Sequence, residues 1–336
     1  MKSNGDQADG HSFNASISGS GQFVVFESQA ENLVPNDDNM FYDVFVYNRN
    51  TGKIRRVSVR SNGNQLENGD SFEPSISASG RFVAFESEAD DLVGNDDNLF
   101  SDAFVHDRKT GKTRRVSVRS NGAEAGALSQ DVSISANGRF VAFSSGADDL
   151  VPNDVNGQFD IFVHDRKTGK TKRVSVHSNG DQGELGGSFD TGVSGKGRWV
   201  IFESEAENLV SDDDNGYYDI FVHDRETKKT IRVSVKNNGD QAELDESYDP
   251  YISKDGRLRF SPVTPTTSCS ATTTASPTSS SEAHFTERSA AGGRNAFRCF
   301  SIEGRLGRAA VAVARPNDPH HGGGTECFER GVHDIR

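Results

Sequence analysis

The segment Ser77-Ala78-Ser79-Gly80-Arg81-Phe82-Val83-Ala84-Phe85 decides the fold, because the chain returns to it at a fixed interval. Its apolar centre appears as Phe23-Val24-Val25-Phe26, Phe82-Val83-Ala84-Phe85, Phe140-Val141-Ala142-Phe143 and Trp199-Val200-Ile201-Phe202. The starts at 23, 82, 140 and 199 are separated by steps of 59, 58 and 59 residues. Asn62-Gly63, Asn121-Gly122, Asn179-Gly180 and Asn238-Gly239 keep the same interval. A period this regular specifies one supersecondary unit repeated in space.

Within the second repeat, Ser71 to Ser77 predicts a short strand and Ala78-Ser79-Gly80 a tight turn, with glycine supplying positive φ. Arg81 to Ser87 predicts a second strand, apolar on both faces as in a sheet covered on two sides. An acidic loop follows over Ala89 to Ser101. Asp102 to Asp107 reads as a third strand, Lys109-Thr110-Gly111-Lys112 as a hairpin turn, and Thr113 to Val118 as a fourth strand. Four antiparallel strands without a helix describe a propeller blade. A β-solenoid is the alternative, but its coils are shorter and lack two hairpin turns each.

The period divides the chain into a linker remnant (1–10), blades at 11–69, 70–127, 128–186 and 187–245, a partial fifth blade (246–261) and a tail (262–336). The expected fold is therefore all-β: a β-propeller of four-stranded antiparallel blades, four complete and a fifth partial, with a largely disordered C-terminal tail. Ser3-Asn4-Gly5-Asp6-Gln7 matches Ser178-Asn179-Gly180-Asp181-Gln182, so the chain is expected to begin in mid-pattern and to be an incomplete propeller.

In the tail, Val263 to Ser281 is rich in Thr, Ser, Pro and Ala, and no lysine follows, although lysine recurs in the repeats. It reads as a low-complexity linker and a disordered end. A sharper expectation comes from back-translating Pro262 to Glu282 with GC-rich codons and reading two bases later. That frame spells Gly-Asp-Ala-Asp-Asp-Leu-Val-Leu-Gly-Asp-Asn-Asn-Gly-Val-Ser-Asp-Ile-Phe-Val-Arg, the rest of a fifth repeat. A frameshift near Pro262 is expected. Cys269, Cys299, Cys327, His320 and His321 then have no designed role, and they lack zinc-site spacing.

The net charge of −13 argues against a nucleic-acid partner. Basic pairs such as Arg55-Arg56 and Arg114-Arg115 read as solvated strand ends. No apolar run approaches the ~20 residues of a membrane helix, so no membrane insertion is expected. The first residues carry no secretory-signal core.

Ser-x-x-Gly followed by Arg-Phe-Val-Ala-Phe (Ser77 to Phe85 and Ser135 to Phe143), then Asp-Ile-Phe-Val-His-Asp-Arg-x-Thr-Gly (Asp160 to Gly169), resembles the TolB-like, WD-type β-propeller repeats of bacteria. The resemblance covers about residues 11–260. It implies a propeller, commonly of six blades, in proteins that are mostly periplasmic or extracellular and usually bind proteins. It carries over no catalytic residue.

The acidic loop keeps the frame Asp-x-Asn-x-x-x-Asp in every repeat: Asp37, Asn39 and Asp43; Asp96, Asn98 and Asp102; Asp154, Asn156 and Asp160; Asp213, Asn215 and Asp219. Such oxygens are what Ca²⁺ takes, and the spacing resembles part of the Asp-rich calcium loops of integrin-type propellers and thrombospondin repeats, without their first Asp. The structural alternative is an Asx-turn. His106, His164 and His223 repeat, with Tyr47 in the first copy, which suggests packing. Glu27, Glu86 and Glu203 follow the Phe-x-x-Phe strand, but Ser144 replaces them once, so spacing supports no carboxylate pair.

Three functions stay open: a non-catalytic interaction scaffold binding a protein or glycan and stabilised by Ca²⁺; a hydrolase or lyase with a site in the central channel; and a regulatory propeller from a larger peptidase-like protein. Near-identical blades favour the scaffold. Departures from the repeat are small, as with Gln130 for Phe72 and Gly192-Val193 for Ser75-Ile76.

Overall fold

A computed structural model describes residues 5–236, 239–241, 247–253 and 258–262. The tail expectations, including the frameshift from Pro262 onward, concern residues 263–336, outside the described residues. Among the described residues there is no helix. The first sheet contains β1 (Ser12–Ile17), β2 (Phe23–Ser28), β3 (Asp43–Asn48) and β4 (Lys53–Arg56). The second contains β5 (Ser71–Ile76), β6 (Phe82–Ser87), β7 (Asp102–Asp107) and β8 (Lys112–Arg115). The third contains β9 (Ser129–Ile134), β10 (Phe140–Ser145), β11 (Asp160–Asp165) and β12 (Lys170–Arg173). The fourth contains β13 (Ser188–Val193), β14 (Trp199–Ser204), β15 (Asp219–Asp224) and β16 (Lys229–Arg232). A two-stranded sheet of β17 (Ser247–Ile252) and β18 (Leu258–Pro262) follows. All pairings are antiparallel between sequential neighbours, which is the meander of a propeller blade.

The two middle strands of each blade hold the core. All six residues of β7, β11 and β15 are buried, and Phe85 stacks on Phe104 with ring centroids 6.0 Å apart. Phe143–Phe162 and Phe202–Phe221 repeat that pair. Each buried phenylalanine contributes about 1.5–3 kcal/mol by leaving water, so every blade carries its own share of the core.

Blades touch through their first strands. The pairs β1–β5, β5–β9, β9–β13 and β13–β17 are in contact, which places these strands side by side around the axis. Glycine is required at the turns after β5, β9 and β13. Gly80 has φ +70°, and a Cβ there would lie 2.2 Å from the Phe23 ring of the preceding blade. Gly138 on Phe82 and Gly197 on Phe140 repeat this close approach. Arg108 covers the same Phe23 ring at 4.2 Å from its centroid.

The first blade differs on its outer flank. Ile17 is 51% exposed, whereas its counterparts Ile76, Ile134, Val193 and Ile252 are buried against the preceding blade. No blade among the described residues covers that face of β1.

Two local details depart from the sequence reading. The fourth strand of the second blade ends at Arg115 rather than Val118. There Ser117 turns inward, accepts the Ala103 N–H at 3.1 Å and donates to Asp102 Oδ1 at 2.5 Å. Asn62-Gly63, Asn121-Gly122 and Asn179-Gly180 form the tips of tight turns, with Gly122 N–H donating to Arg119 O at 2.8 Å and Val118 bridging Glu124.

Candidate functional site

Two polar regions recur in every blade. The first lies at the rim, where the loop between the second and third strands meets the end of the fourth. Asp37 and Asp43 both accept from Arg56 Nη1, at 2.7 and 2.9 Å. Arg115 Nη1 holds Asp96 at 3.0 Å and Asp102 at 2.8 Å, and also Glu124. Arg173 Nη1 holds Asp154 at 2.6 Å and Asp160 at 3.0 Å. Arg232 Nη1 holds Asp213 at 2.9 Å and Asp219 at 3.3 Å. The structure thus brings the first and last aspartates of each loop together, around a guanidinium from the same blade.

This corrects the reading of the basic pairs. The second member of each pair is no solvated strand end: the Arg56, Arg115, Arg173 and Arg232 side chains are only 8–9% exposed. The preceding Arg55, Arg114 and Lys172 face out because strand side chains alternate, whereas Ile231, before Arg232, packs partly against the core.

The asparagines have a local task. Asn39, Asn98, Asn156 and Asn215 each accept the backbone N–H two residues on, as an Asx-turn does. Asn98 and Asn156 also donate to Ala125 O and Gly183 O, at 3.0 and 2.9 Å. Burial pushes Asp37 up to about 6 and Asp96 up to about 7, while their arginines pull the other way. The oxygens of Asp96, Asp102 and Glu124 lie within 4.8 Å of one another, a spacing that suits a cation, and the Arg115 guanidinium stands among them.

The histidines are structural. His106 Nδ1 lies 2.9 Å from Thr113 Oγ1, and that hydroxyl donates to Val59 O of the preceding blade. The hydroxyl proton is therefore committed, and Nδ1–H must be the donor. His164–Thr171 and His223–Thr230 repeat the arrangement. Burial holds all three imidazoles down at about 4, so they stay neutral. In the first blade both partners change together, to Tyr47 opposite Ile54.

The second region lies on the axis and was not legible as a cluster. Each first strand bulges near its start, and the bulged residue has positive φ: Asn14 (49°), Glu73 (49°), Asp131 (56°), Asp190 (45°) and Asp249 (52°). Bulges favour glycine at such positions, but here the position carries a polar or acidic side chain in all five copies.

Behind these residues lie Glu27, Glu86 and Glu203, each 6% exposed. They strap one blade to the next. Glu27 Oε2 accepts the Glu73 N–H at 2.7 Å, and Glu203 Oε2 accepts the Asp249 N–H at 3.3 Å. The Asp131 N–H supports the Glu86 carboxyl. In the third blade Ser144 cannot reach across. Asp131 takes over, accepting from Ser144 Oγ at 2.6 Å and from the Asp190 N–H at 3.1 Å. Ser144, the one break in the Glu27, Glu86 and Glu203 series, is thus compensated in space.

Burial and the neighbouring acids push Glu86 up to about 9, Glu203 to about 8, Glu73 to about 7 and Asp190 to about 6. For Glu73 the neighbours include Asp131, Asp190 and Glu27, so four blades converge on one region. Among the described residues none of these axial acids takes part in an ion pair.

No protein-family model matches the sequence, and no curated protein matches it. Solved structures do. A TolB structure from Agrobacterium tumefaciens aligns with a TM-score of 0.48 at 13% identity, over 78% of this chain and 73% of that one. TolB from Acinetobacter baumannii aligns with a TM-score of 0.44 at 13% identity, over 74% of this chain and 53% of that one. A prolyl endopeptidase aligns with a TM-score of 0.47 at 12% identity, over 78% of this chain and 34% of that one. The chain thus spans about half of the second protein and a third of the third. In fold, this chain is a β-propeller similar to TolB.

Proposed function

We propose that this chain is a non-catalytic propeller scaffold that binds a protein partner on the face carrying the Asp-Asn loops. The observation that carries the reading is the fate of the repeated polar side chains. Histidine is tied to threonine, the loop aspartates to arginine, and the serine after the fourth strand to aspartate. None of these groups is left as a nucleophile paired with a base. No helix among the described residues is long and apolar enough to cross a membrane.

A second reading rests on the axial acids. Buried carboxyls held at about 8 and 9 are protonated at neutral pH and suit general acids, which would favour a hydrolase or lyase site in the channel. Assaying the purified chain on peptide, ester and polysaccharide substrates separates the two. The scaffold reading expects no turnover; turnover abolished by Glu86→Gln and Glu203→Gln would overturn it.

For the rim loops we also propose Ca²⁺ as an alternative occupant, competing with the guanidinium for the same oxygens. Ca²⁺ bound only by the folded chain would raise its melting temperature, and replacing Asp154 and Asp160 with Asn would remove part of the rise. A melting curve indifferent to millimolar Ca²⁺ and to chelator leaves the arginine as the cation of these loops.

A further inference from the structure

The hairpin turns lie at the strand ends opposite the Asp-Asn loops, and they are basic. The turn between the third and fourth strands reads Asp107-Arg108-Lys109-Thr110-Gly111-Lys112, and it returns at Asp165 to Lys170 and at Asp224 to Lys229. Its aspartate is consumed locally. Asp107 accepts from Arg81 Nε and Nη2, both at 2.7 Å, from the Lys109 N–H at 3.0 Å and from the Thr110 hydroxyl at 2.9 Å. Asp165 with Arg139 and Asp224 with Arg198 repeat the arrangement. In the first blade both partners change together, to Gln22 and Asn48, and Arg49 and Lys53 stay exposed. Lys109 and Lys112, Lys167 and Lys170, and Lys228 and Lys229 are exposed too, and no ion pair among the described residues engages them.

The turns form one continuous layer. The Arg108 N–H donates to Arg81 O at 2.9 Å, joining the two turns of one blade, and Arg166 to Arg139 and Arg225 to Arg198 repeat that bond. Between blades, the Gly19 N–H donates to Ala78 O and the Ala78 N–H to Ala136 O, each at 3.0 Å. The layer offers charge and little else. None of the exposed large apolar side chains lies in these turns, so the aromatic or aliphatic hot spot of a protein interface is missing. The aromatic rings beside the turns are already covered. Phe82 has the Arg81 guanidinium 4.6 Å and the Arg166 guanidinium 4.2 Å from its centroid, and Phe140 meets Arg139 and Arg225 likewise. Such rings are not free to stack on nucleic-acid bases. A broad anionic plane needs only the charge, and it engages the turns of all the blades at once.

The net charge of −13 does not oppose this, because the two signs are separated in space. Exposed acids such as Asp38, Asp97 and Asp214 lie on the loop face, at the far end of six-residue strands. Such strands are about 20 Å long, more than two screening lengths of about 8 Å at physiological salt. Each face therefore presents its own charge.

We propose that the hairpin face docks on an anionic lipid surface, with the lysines of the turns reaching the headgroups and the Asp-Asn loops turned to solvent. The contact is peripheral and electrostatic, inserts no apolar side chain, and is reversed by salt. It is independent of the scaffold reading and leaves the loop face open to a protein partner.

The test is co-sedimentation of the full chain with vesicles of phosphatidylserine and phosphatidylcholine in equal parts, against vesicles of phosphatidylcholine alone. The chain sediments with the first and not the second, and high salt releases it. Lys109→Gln/Lys112→Gln/Lys167→Gln/Lys170→Gln weakens binding about tenfold or more. Asp38→Asn/Asp97→Asn/Asp214→Asn, which changes the net charge on the other face, alters binding by less than about twofold. All seven side chains are exposed or half-buried at most, and thermal unfolding confirms that both variants fold. A chain that ignores the anionic vesicles overturns the proposal. Shifts of similar size from the two variants mean diffuse charge and overturn it as well. So does duplex DNA that binds as tightly as the vesicles and is lost with the same lysines, since the face is then a general polyanion site. Self-association in sedimentation velocity that the lysine variant abolishes, without vesicle binding, assigns the face to a second copy instead.

Discussion

At the rim, eight aspartates in four loops close on four arginines. At the axis, acids from all the blades face one another with no such partner among the described residues. Both regions are repeated by the same period, both are substantially buried, and both are built on strand ends. They differ in where the neutralising charge comes from. The rim arginine sits on the fourth strand of its own blade, two residues before the serine that also holds the last aspartate. A blade can therefore fold its rim alone. The axial carboxylates bond the backbone of the next blade, so their order is a property of the assembled ring. A self-sufficient cluster serves the stability of each blade, and one completed only by the neighbouring blades serves the assembly of the ring.

The strongest way to break this comparison is Arg115→Met. The side chain is 8% exposed and meets three carboxylates, so its loss strands buried charge. Breaking a buried pair from one side costs about 3–5 kcal/mol, read as a lower denaturant midpoint by circular dichroism. A loss under about 1 kcal/mol, typical of exposed pairs, would show that the rim does not depend on its arginine. Adding Ca²⁺ to the variant sharpens the result, since recovery of stability would mean that the loop oxygens accept a metal once the guanidinium is gone.

The axis gives the next largest effect, through pH. Glu86 is raised from 4.5 to about 9, mainly by burial and then by Glu73. A carboxyl with a raised folded pKa contributes stability below its unfolded pKa and loses it as pH rises through the folded value. Glu203 and Glu73, raised to about 8 and about 7, act in the same direction. The alkaline limb of stability therefore declines between about 4.5 and about 9. The histidines bound the other side: lowered by burial from 6.5 to about 4, they destabilise the fold as pH falls through that window. Glu86→Gln flattens the alkaline limb and adds about 1–3 kcal/mol there, the scale of one unsatisfied buried group. Thermal melts across pH check it; an unchanged alkaline slope would mean that the axial acids are already neutralised.

The blades were legible because their information is local. Phe82-Val83-Ala84-Phe85 announces a strand buried on both faces, and Val83, Ala84 and Phe85 are fully buried. The rim was half legible. Asp96, Asn98 and Asp102 stood out by spacing, but Arg115 was read with Arg114 as a surface pair, since adjacency conceals that one faces in. The axis was illegible because its partners come from different repeats: Glu86 meets Asp131, and the change to Ser144 looked like loss of the column. One signal was present. Asn14, Glu73, Asp131, Asp190 and Asp249 keep the period and stay polar or acidic, a pattern with no explanation within one blade.

The smallest effect probes the outermost tip of the rim. Met40 and Leu99 follow the loop asparagine with φ of 63° and 61°, where the third and fourth blades carry Gly157 and Gly216 at 62° and 67°. The backbone is the same, but two blades hold a bulky side chain in a conformation that costs it about 1–2 kcal/mol. Leu99 is 80% exposed, so it repays little of this by burial within the chain. Leu99→Gly removes the strain, while glycine's greater freedom in the unfolded chain returns roughly 0.5–1 kcal/mol. The net expectation is a gain of about 0–1 kcal/mol, seen as an equal or slightly higher melting temperature. A loss larger than that would mean the leucine packs against its own loop, and the tip would then belong to the stabilising rim. If stability is kept, the exposed Leu99 and Met40 are strained positions retained without benefit to the fold, on the face proposed for the partner. The rim itself then divides into an arginine-held base that stabilises each blade and apolar tips held out for contact.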